Sequence, residues 1–324
     1  MDDGEYEELR RSFAEILSRT LWVSVVMHDD PDGDTIGTSL AFYRILKMSG
    51  FRVEVCCASG EIAPYYDFLY GFSAIKRKME YGDSTVIVCD CASESRFGFD
   101  IGGRVSVNVD HHRDNTMFGT LNIVDSQAPS CAEVAYLLLD GLYPMDGDCA
   151  NALYTGIYSD TSGFSTSGVG KRTLETALAL SAVGAEPSYV AYNLLHRRSL
   201  SSVRLLGRAL SVLKLDCSGR LAIMSLEKSD MVWAGASYPD LDGIVEYGRS
   251  LATVEISALI VEMEDFVKVS LRSKGRDVSA IARIFGGGGH PEASAFRVYG
   301  GDMDEVRRRL VVSIEEIFDN RGGV

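Results

Sequence analysis

Three runs rich in β-branched residues each end on carboxylates. "LWVSVVM" (21–27) leads straight into "HDDPDGD" (28–34), "STVIVCD" (84–90) closes on Asp90, and "RVSVNVD" (104–110) closes on Asp110. Short apolar runs of this kind read as buried strands. The stretch Thr35 to Met48 looks helical, and "FRVEVCC" (51–57) repeats the strand pattern before a short helix. Strands that alternate with helices build a largely parallel α/β sheet with helices on both faces. Ligands of such a sheet sit at the carboxyl ends of its strands, so acids from separate segments converge there. His28 to Asp34 alone set four carboxylates and one imidazole into seven positions.

The remaining pattern divides the chain. Leu9, Phe13, Ile16 and Leu17 give residues 5–19 helical spacing; "SCAEVAYLLLDG" (130–141) opens with Ser130 and Glu133 in capping-box spacing and stops on Gly141; a further helix covers 148–158. Residues 1–186 are thus expected to form one domain and 187–213 a helical connector. Beyond it "RLAIMSL" is followed by "ATVEISALIVEM" and "FVKVSLRS", an antiparallel hairpin with a short acidic turn. A helix carrying Val306, Leu310, Ile314 and Ile317 closes a smaller mixed α/β domain over 214–324.

Composition removes several classes of function. With 324 residues and 46% hydrophobic content, both domains can bury a core. No apolar run reaches the ~20 residues of a membrane span, and the acidic opening "MDDGEYEELR" is unlike a secretory signal. A cytoplasmic protein with no membrane contact is expected. Seven cysteines without a Cys-x-x-Cys pair read as reduced packing thiols. A formal charge of −14 repels long nucleic acid, duplex included. An anionic substrate must be small, or be met by local positive charge such as bound metal ions.

The chain has five histidines, and His28, His111 and His112 stand beside aspartates at strand ends. Taken alone, an Asp next to Gly is a turn or N-cap residue; it is the coincidence of His28, Asp32, Asp34, Asp90, Asp110, His111, His112 and Asp160 that points to a site. Mixed imidazole and carboxylate ligands suit manganese, iron, cobalt or zinc better than calcium. His290 follows four glycines in "RIFGGGGHPEA" (283–293). Such a run implies positive φ angles or close approach of the main chain, and its amides can form an anion-binding concavity. It is neither a P-loop nor a dinucleotide fingerprint. Arg272 in "SLRSKGR" offers a bidentate phosphate contact.

Taken in order, "HDDPDGDTIG", "VIVCD", "VDHH" and "YSDTSGF", followed by "RSKGRDVSAIARIFGGGGH", make the chain similar to the DHH phosphoesterase superfamily with its DHH-associated glycine-rich C-terminal domain, over roughly residues 20 to 297. The resemblance implies that His28, Asp32 and Asp90 hold one divalent ion and Asp34, Asp90, His111 and Asp160 a second, with Asp90 bridging. Manganese is the first choice, with Co, Fe, Zn or Mg as alternatives. Two ions about 3.5–4 Å apart activate a hydroxide for in-line attack on phosphorus. Asp110 and His112 become the catalytic groups that orient ligands and contact phosphate. Arg272, Gly286, Gly287, Gly288, Gly289 and His290 bind a phosphate or terminal nucleotide from the second domain. Apart from the resemblance, Arg113, just after the two histidines, reads either as a further phosphate contact or as a surface arginine. The activity implied is hydrolysis of short oligonucleotides (a nanoRNase) and of 3′-phosphoadenosine 5′-phosphate. Alternatives are a cyclic di-AMP or linear dinucleotide phosphodiesterase, a single-strand exonuclease, and a non-catalytic scaffold. A homodimer is the default assembly.

Overall fold

The Val- and Ile-rich runs become adjacent strands in the computed structural model, which describes residues 1–58 and 62–319. β1 (Trp22–Val26), β2 (Arg52–Cys56), β3 (Ile75–Lys76), β4 (Thr85–Cys89), β5 (Ser106–Asp110) and β6 (Leu121–Val124) form one sheet in the order β3-β2-β1-β4-β5-β6. Every pairing in it is parallel. The chain builds outward from β1 to β3, then crosses back to lay β4 against the other side of β1. That reversal makes a topological switch point, where the carboxyl ends of β1 and β4 open a crevice.

The helices of this unit are α1 (Asp3–Ser18), α2 (Gly33–Met48), α3 (Cys131–Leu139), α4 (Gly147–Asp160), α5 (Lys171–Val183) and α6 (Pro187–His196). Side-chain oxygens of Asp32, Ser130 and Asp146 cap α2, α3 and α4. Ser130 accepts from the Glu133 amide (3.2 Å), but the Glu133 carboxylate turns to Arg172 (2.6 Å). One core joins Val23, Val25, Ile87, Val107, Val109 and Ile123 of the sheet to Phe13, Phe42, Leu138 and Leu153 of the helices. The opposite face of Val26, Val86 and Val88 packs under Cys91, Phe97 and Ile101. α2 and α4 cross at glycines: a Cβ on Gly37 would lie 2.3 Å from the Ala152 carbonyl oxygen, and one on Gly156 2.7 Å from Asp34 Oδ1.

A second compact unit begins at residue 198, so the stretch 187–213 is two helices, α6 in the first unit and α7 (Leu200–Ser211) in the second. It holds β7 (Lys214–Asp216), β8 (Leu221–Leu226), α8 (Lys228–Ala234), α9 (Ile244–Arg249), β9 (Ile256–Glu262), β10 (Phe266–Ser273), α10 (Val278–Ile284), β11 (Gly288–His290), β12 (Ala293–Tyr299) and α11 (Met303–Asp319). The sheet order is β11-β12-β10-β9-β8-β7. β9 and β10 form the expected antiparallel hairpin, whereas β8 runs parallel to β9 because α8 and α9 intervene as a crossover. Among the described residues the seven cysteines form no disulfide, and six of them are buried. Among the described residues no helix is long and apolar enough to cross a membrane.

Glu54 sits in the middle of β2 with its side chain fully buried. Its carboxylate accepts from Ser24 Oγ (2.7 Å), the Tyr81 amide (3.0 Å), the Glu80 amide (3.1 Å) and Lys76 Nζ (3.3 Å). Burial pushes the carboxyl up, but these donors pull it below its usual value of 4.5. A folded-state value below the unfolded one adds stability above pH 4.5 that is lost as pH falls through the folded value. Glu54→Gln should therefore cost about 1–3 kcal/mol at pH 7, with the gap to wild type closing on the acid side in a pH series of thermal melts. A constant gap down to pH 3 would contradict the assignment.

Candidate metal centre

The carboxyl ends of β1, β4 and β5 deliver His28, Asp90 and Asp110 with His111 and His112, while the first turn of α2 and the last of α4 deliver Asp34 and Asp160. Among the ligand groups of this unit, His28, Asp32 and Asp90 can bring one ligand atom each within 4.8 Å of one another, and so can Asp34, His111 and Asp160, while Asp90 also groups with Asp110, His111 and His112. Asp90 stands between the first two clusters. Its Oδ2 faces His28 Nε2 at 3.6 Å, and its Oδ1 faces His111 Nε2 at 3.5 Å. The same His111 nitrogen lies 3.3 Å from Asp160 Oδ2 and 3.8 Å from Asp34 Oδ2.

Local bonding explains each orientation. Asp32 Oδ1 accepts from the amides of Asp34 (3.0 Å) and Thr35 (3.1 Å), so the turn-and-cap reading of this residue is correct while its second oxygen is left to the site. Asp34 is fully buried and accepts from the first amides of α3, Cys131 (2.5 Å) and Ala132 (2.9 Å), the positive end of that helix. His111 Nδ1 lies 3.2 Å from the Ala128 carbonyl oxygen. A carbonyl only accepts, so Nδ1 carries a proton; burial pushes the imidazole down, but the carboxylates of Asp90, Asp160 and Asp34 around Nε2 raise it well above its usual pKa. Asp110 Oδ1 takes the His112 ring at Nδ1 (2.7 Å) and the His111 amide (2.8 Å), and its Oδ2 takes Asn115 Nδ2 (2.5 Å). Asp110 is saturated and acts on the site through His112.

The charges are strongly perturbed. Burial, with Asp90 and Asp160 nearby, pushes the Asp34 carboxyl well above its ordinary range. Burial also takes Asp160 up to about 7, with Asp32 and Asp90 adding to the rise and His111 opposing it. Asp90 goes the other way: burial would raise it, but the imidazoles of His111 and His28 hold it well below the usual value. Asp90 Oδ1 and His28 Nδ1 are buried without a hydrogen bond. An unsatisfied buried carboxylate oxygen, crowded carboxylates and an imidazole whose Nδ1 is taken by a carbonyl, leaving Nε2 toward the site, form a donor set that fits divalent cations.

The other expected residues belong to other segments of the chain. Arg113 is exposed on the turn after His112. In the second unit Arg272 and His290 are both paired with Ala293, from β10 and β11 on either side of β12. They stand on one face about 10 Å apart, two strand spacings. Arg272 Nε donates to Glu246 Oε1 (2.8 Å), and Arg249 Nε to the other oxygen (2.6 Å). The glycines are explained by close approach and turning. Cβ atoms on Gly287 and Gly289 would lie 2.2 Å and 2.6 Å from carbonyl oxygens of β12, and Gly286 has φ +79°. Gly288 pairs with Ala295 in the edge strand, and Ser294 Oγ donates to the His290 carbonyl (2.7 Å). Thr35 and Asn115 are site residues that sequence reasoning missed, since lone hydroxyl and amide side chains carry no spacing signal.

Parallel topology, switch point and clustered acids define a DHH-type fold, and the chain belongs to the DHH family: residues 22–157 match the DHH family, N-terminal domain, and residues 230–318 match the DHHA1 domain. It is 31% identical over 325 residues to the bifunctional oligoribonuclease and PAP phosphatase NrnA of Thermus thermophilus, covering 99% of this chain and 98% of that protein. It is 27% identical over 311 residues to the protein of the same name from Bacillus subtilis, covering 93% of this chain and 97% of the relative. The crystal structure of an exopolyphosphatase-related protein from Bacteroides fragilis shares the fold, with a TM-score of 0.88 at 24% identity and coverage of 97% and 98%.

Thr35 Oγ1 is shared by all three residues of the first cluster, lying 2.5 Å from Asp90 Oδ2, 2.6 Å from His28 Nε2 and 3.2 Å from Asp32 Oδ1. Thr35→Val preserves its shape and removes those bonds. Manganese affinity by calorimetry should fall about 10–100-fold with the melting temperature of the metal-free protein little changed. Unaltered affinity would count against Thr35 as an organiser of this cluster.

Proposed function

We propose that this chain is a manganese-dependent phosphoesterase that hydrolyses short oligonucleotides and 3′-phosphoadenosine 5′-phosphate. One observation carries the reading: the two oxygens of Asp90 face two separate sets of ligands, His28 with Asp32 and His111 with Asp34 and Asp160. That is the arrangement of a carboxylate shared by two cations. The names of the Thermus and Bacillus relatives, matched along nearly their whole length, support the substrate class. Seven cysteines outside any disulfide among the described residues agree with a cytoplasmic setting.

Divalent ions held by these residues supply Lewis-acid charge and lower the pKa of water. The protein's own groups do the rest. Asp34 and Asp160 fix His111 from one side, and the Ala128 carbonyl from the other. Asp110 holds His112 at Nδ1, so the ring can hold or release a proton at Nε2 toward a phosphate oxygen or a departing alkoxide. In our reading residues 1–186 carry the chemistry and 214–324 bind substrate through Arg272, His290 and the backbone of Gly286 to Gly289, with Arg113 a further contact. Two guanidiniums, Arg272 and Arg249, share the single Glu246 carboxylate. The surplus positive charge there favours a phosphate.

The test is manganese-dependent turnover of linear pApA, 3′-phosphoadenosine 5′-phosphate, cyclic di-AMP and a long single strand. The first two should release mononucleotide fastest. Asp90→Ala should be inactive on all four yet fold, because it removes a ligand from both clusters. Arg272→Ala should weaken substrate use about 10–100-fold, the loss of a charge-assisted contact, with metal affinity intact. Turnover retained in Asp90→Ala would refute the shared-carboxylate reading; preference for cyclic di-AMP would move the chain to the cyclic dinucleotide class.

A further inference from the structure

The β5 sequence alternates valine with Ser106, Asn108 and Asp110, placing three buried polar side chains on one face. That face is otherwise the apolar layer of Val26, Val86 and Val88. Amides and carboxylates buried in such a layer are costly unless bonded, and here the partners come from the segment that follows the two histidines. Asn115 Nδ2 donates to Asp110 Oδ2 (2.5 Å) and to the Cys91 carbonyl (3.2 Å). Its Oδ1 accepts from Asn108 Nδ2 (2.9 Å) and the Met117 amide (2.7 Å). Asn108 stands opposite Asn122 of β6 and donates to its Oδ1 (3.3 Å). Asn122 in turn accepts from the Gly119 amide (3.0 Å) and donates to the Gly119 carbonyl (2.8 Å). Three asparagines thus join β5, β6 and the intervening turn into one bonded unit that ends on Asp110.

The end point matters because the last torsion of an aspartate is soft. Bonds to Oδ1 alone leave the carboxylate free to twist and carry the His112 ring with it. A bond on Oδ2 from a group itself held on three further sides removes that freedom. We propose that Asn115 is a positioning residue for His112: it fixes the Asp110 carboxylate, which fixes the imidazole plane and the direction of Nε2. The inference rests on the reading above that His112 faces the reacting phosphate.

A double-mutant cycle with Asn115→Ala and His112→Ala tests it, using manganese and pApA, with two further readouts: manganese affinity by calorimetry and the downfield His112 Nδ1–H proton resonance of the metal-free protein. Asn115→Ala should lower kcat about 10–100-fold while KM and manganese affinity hold, broaden or shift the Nδ1–H resonance, and add nothing in the His112→Ala background. Equal losses in both backgrounds, or a lowered kcat with the resonance unmoved, would overturn the proposal, because a general weakening of the fold acts independently of His112. If His112→Ala itself keeps full kcat, the reading of His112 fails. If His112→Ala is impaired and Asn115→Ala is not, only the positioning role fails. Where Asn115→Ala does not fold, Asn115→Ser, whose hydroxyl is too short to reach Asp110, carries the same comparison.

Discussion

Burying like charges beside one another is the constraint around which the first unit is arranged. Asp34, Asp90 and Asp110 are each at most 3% exposed and lie close together. An ionised carboxylate taken out of water is strongly destabilising unless its lone pairs find donors or cations. The fold answers differently for each. Asp34 rests on the amide end of α3, and Asp110 takes three hydrogen bonds. Asp90 keeps one oxygen without any, between imidazoles, on a residue with φ +56°. Asp adopts that left-handed conformation more readily than most residues, and it turns the chain out of β4 at the switch point. The carboxylate least satisfied by the protein is the one placed at the centre.

Much of this is legible in the sequence because strand ends are. Apolar runs that stop on Asp90 and Asp110, and the acidic turn after Met27, locate three walls of the centre once the sheet is known to be parallel. The order of the strands is not legible: that β4 returns beside β1 depends on tertiary packing. Nor is the approach of Asp160 to Asp34, which rests on the glycine crossing of α2 and α4. Single polar residues such as Thr35, Glu54 and Asn115 look like ordinary strand, helix or turn composition until their partners from distant segments are seen. The second unit shows the same limit, since a Val- and Ile-rich strand does not declare whether its neighbour runs parallel, and β8 does.

The glycine-rich segment joins both kinds of signal. Its glycines are required by the closeness of β11 to β12 and by the turn at Gly286, while the same pairing sets His290 and Arg272 in one row across Ala293. Backbone geometry and the placing of charged side chains are one feature of that sheet edge.

The most direct test of the central claim, a pair of cations sharing Asp90, is the number and coupling of manganese ions bound per chain. Equilibrium binding followed by electron paramagnetic resonance should find two ions in the wild type with the exchange-coupled signal of neighbouring ions, and that coupled signal should vanish in Asp90→Ala. A single ion per chain, or two ions without coupling, would contradict the account.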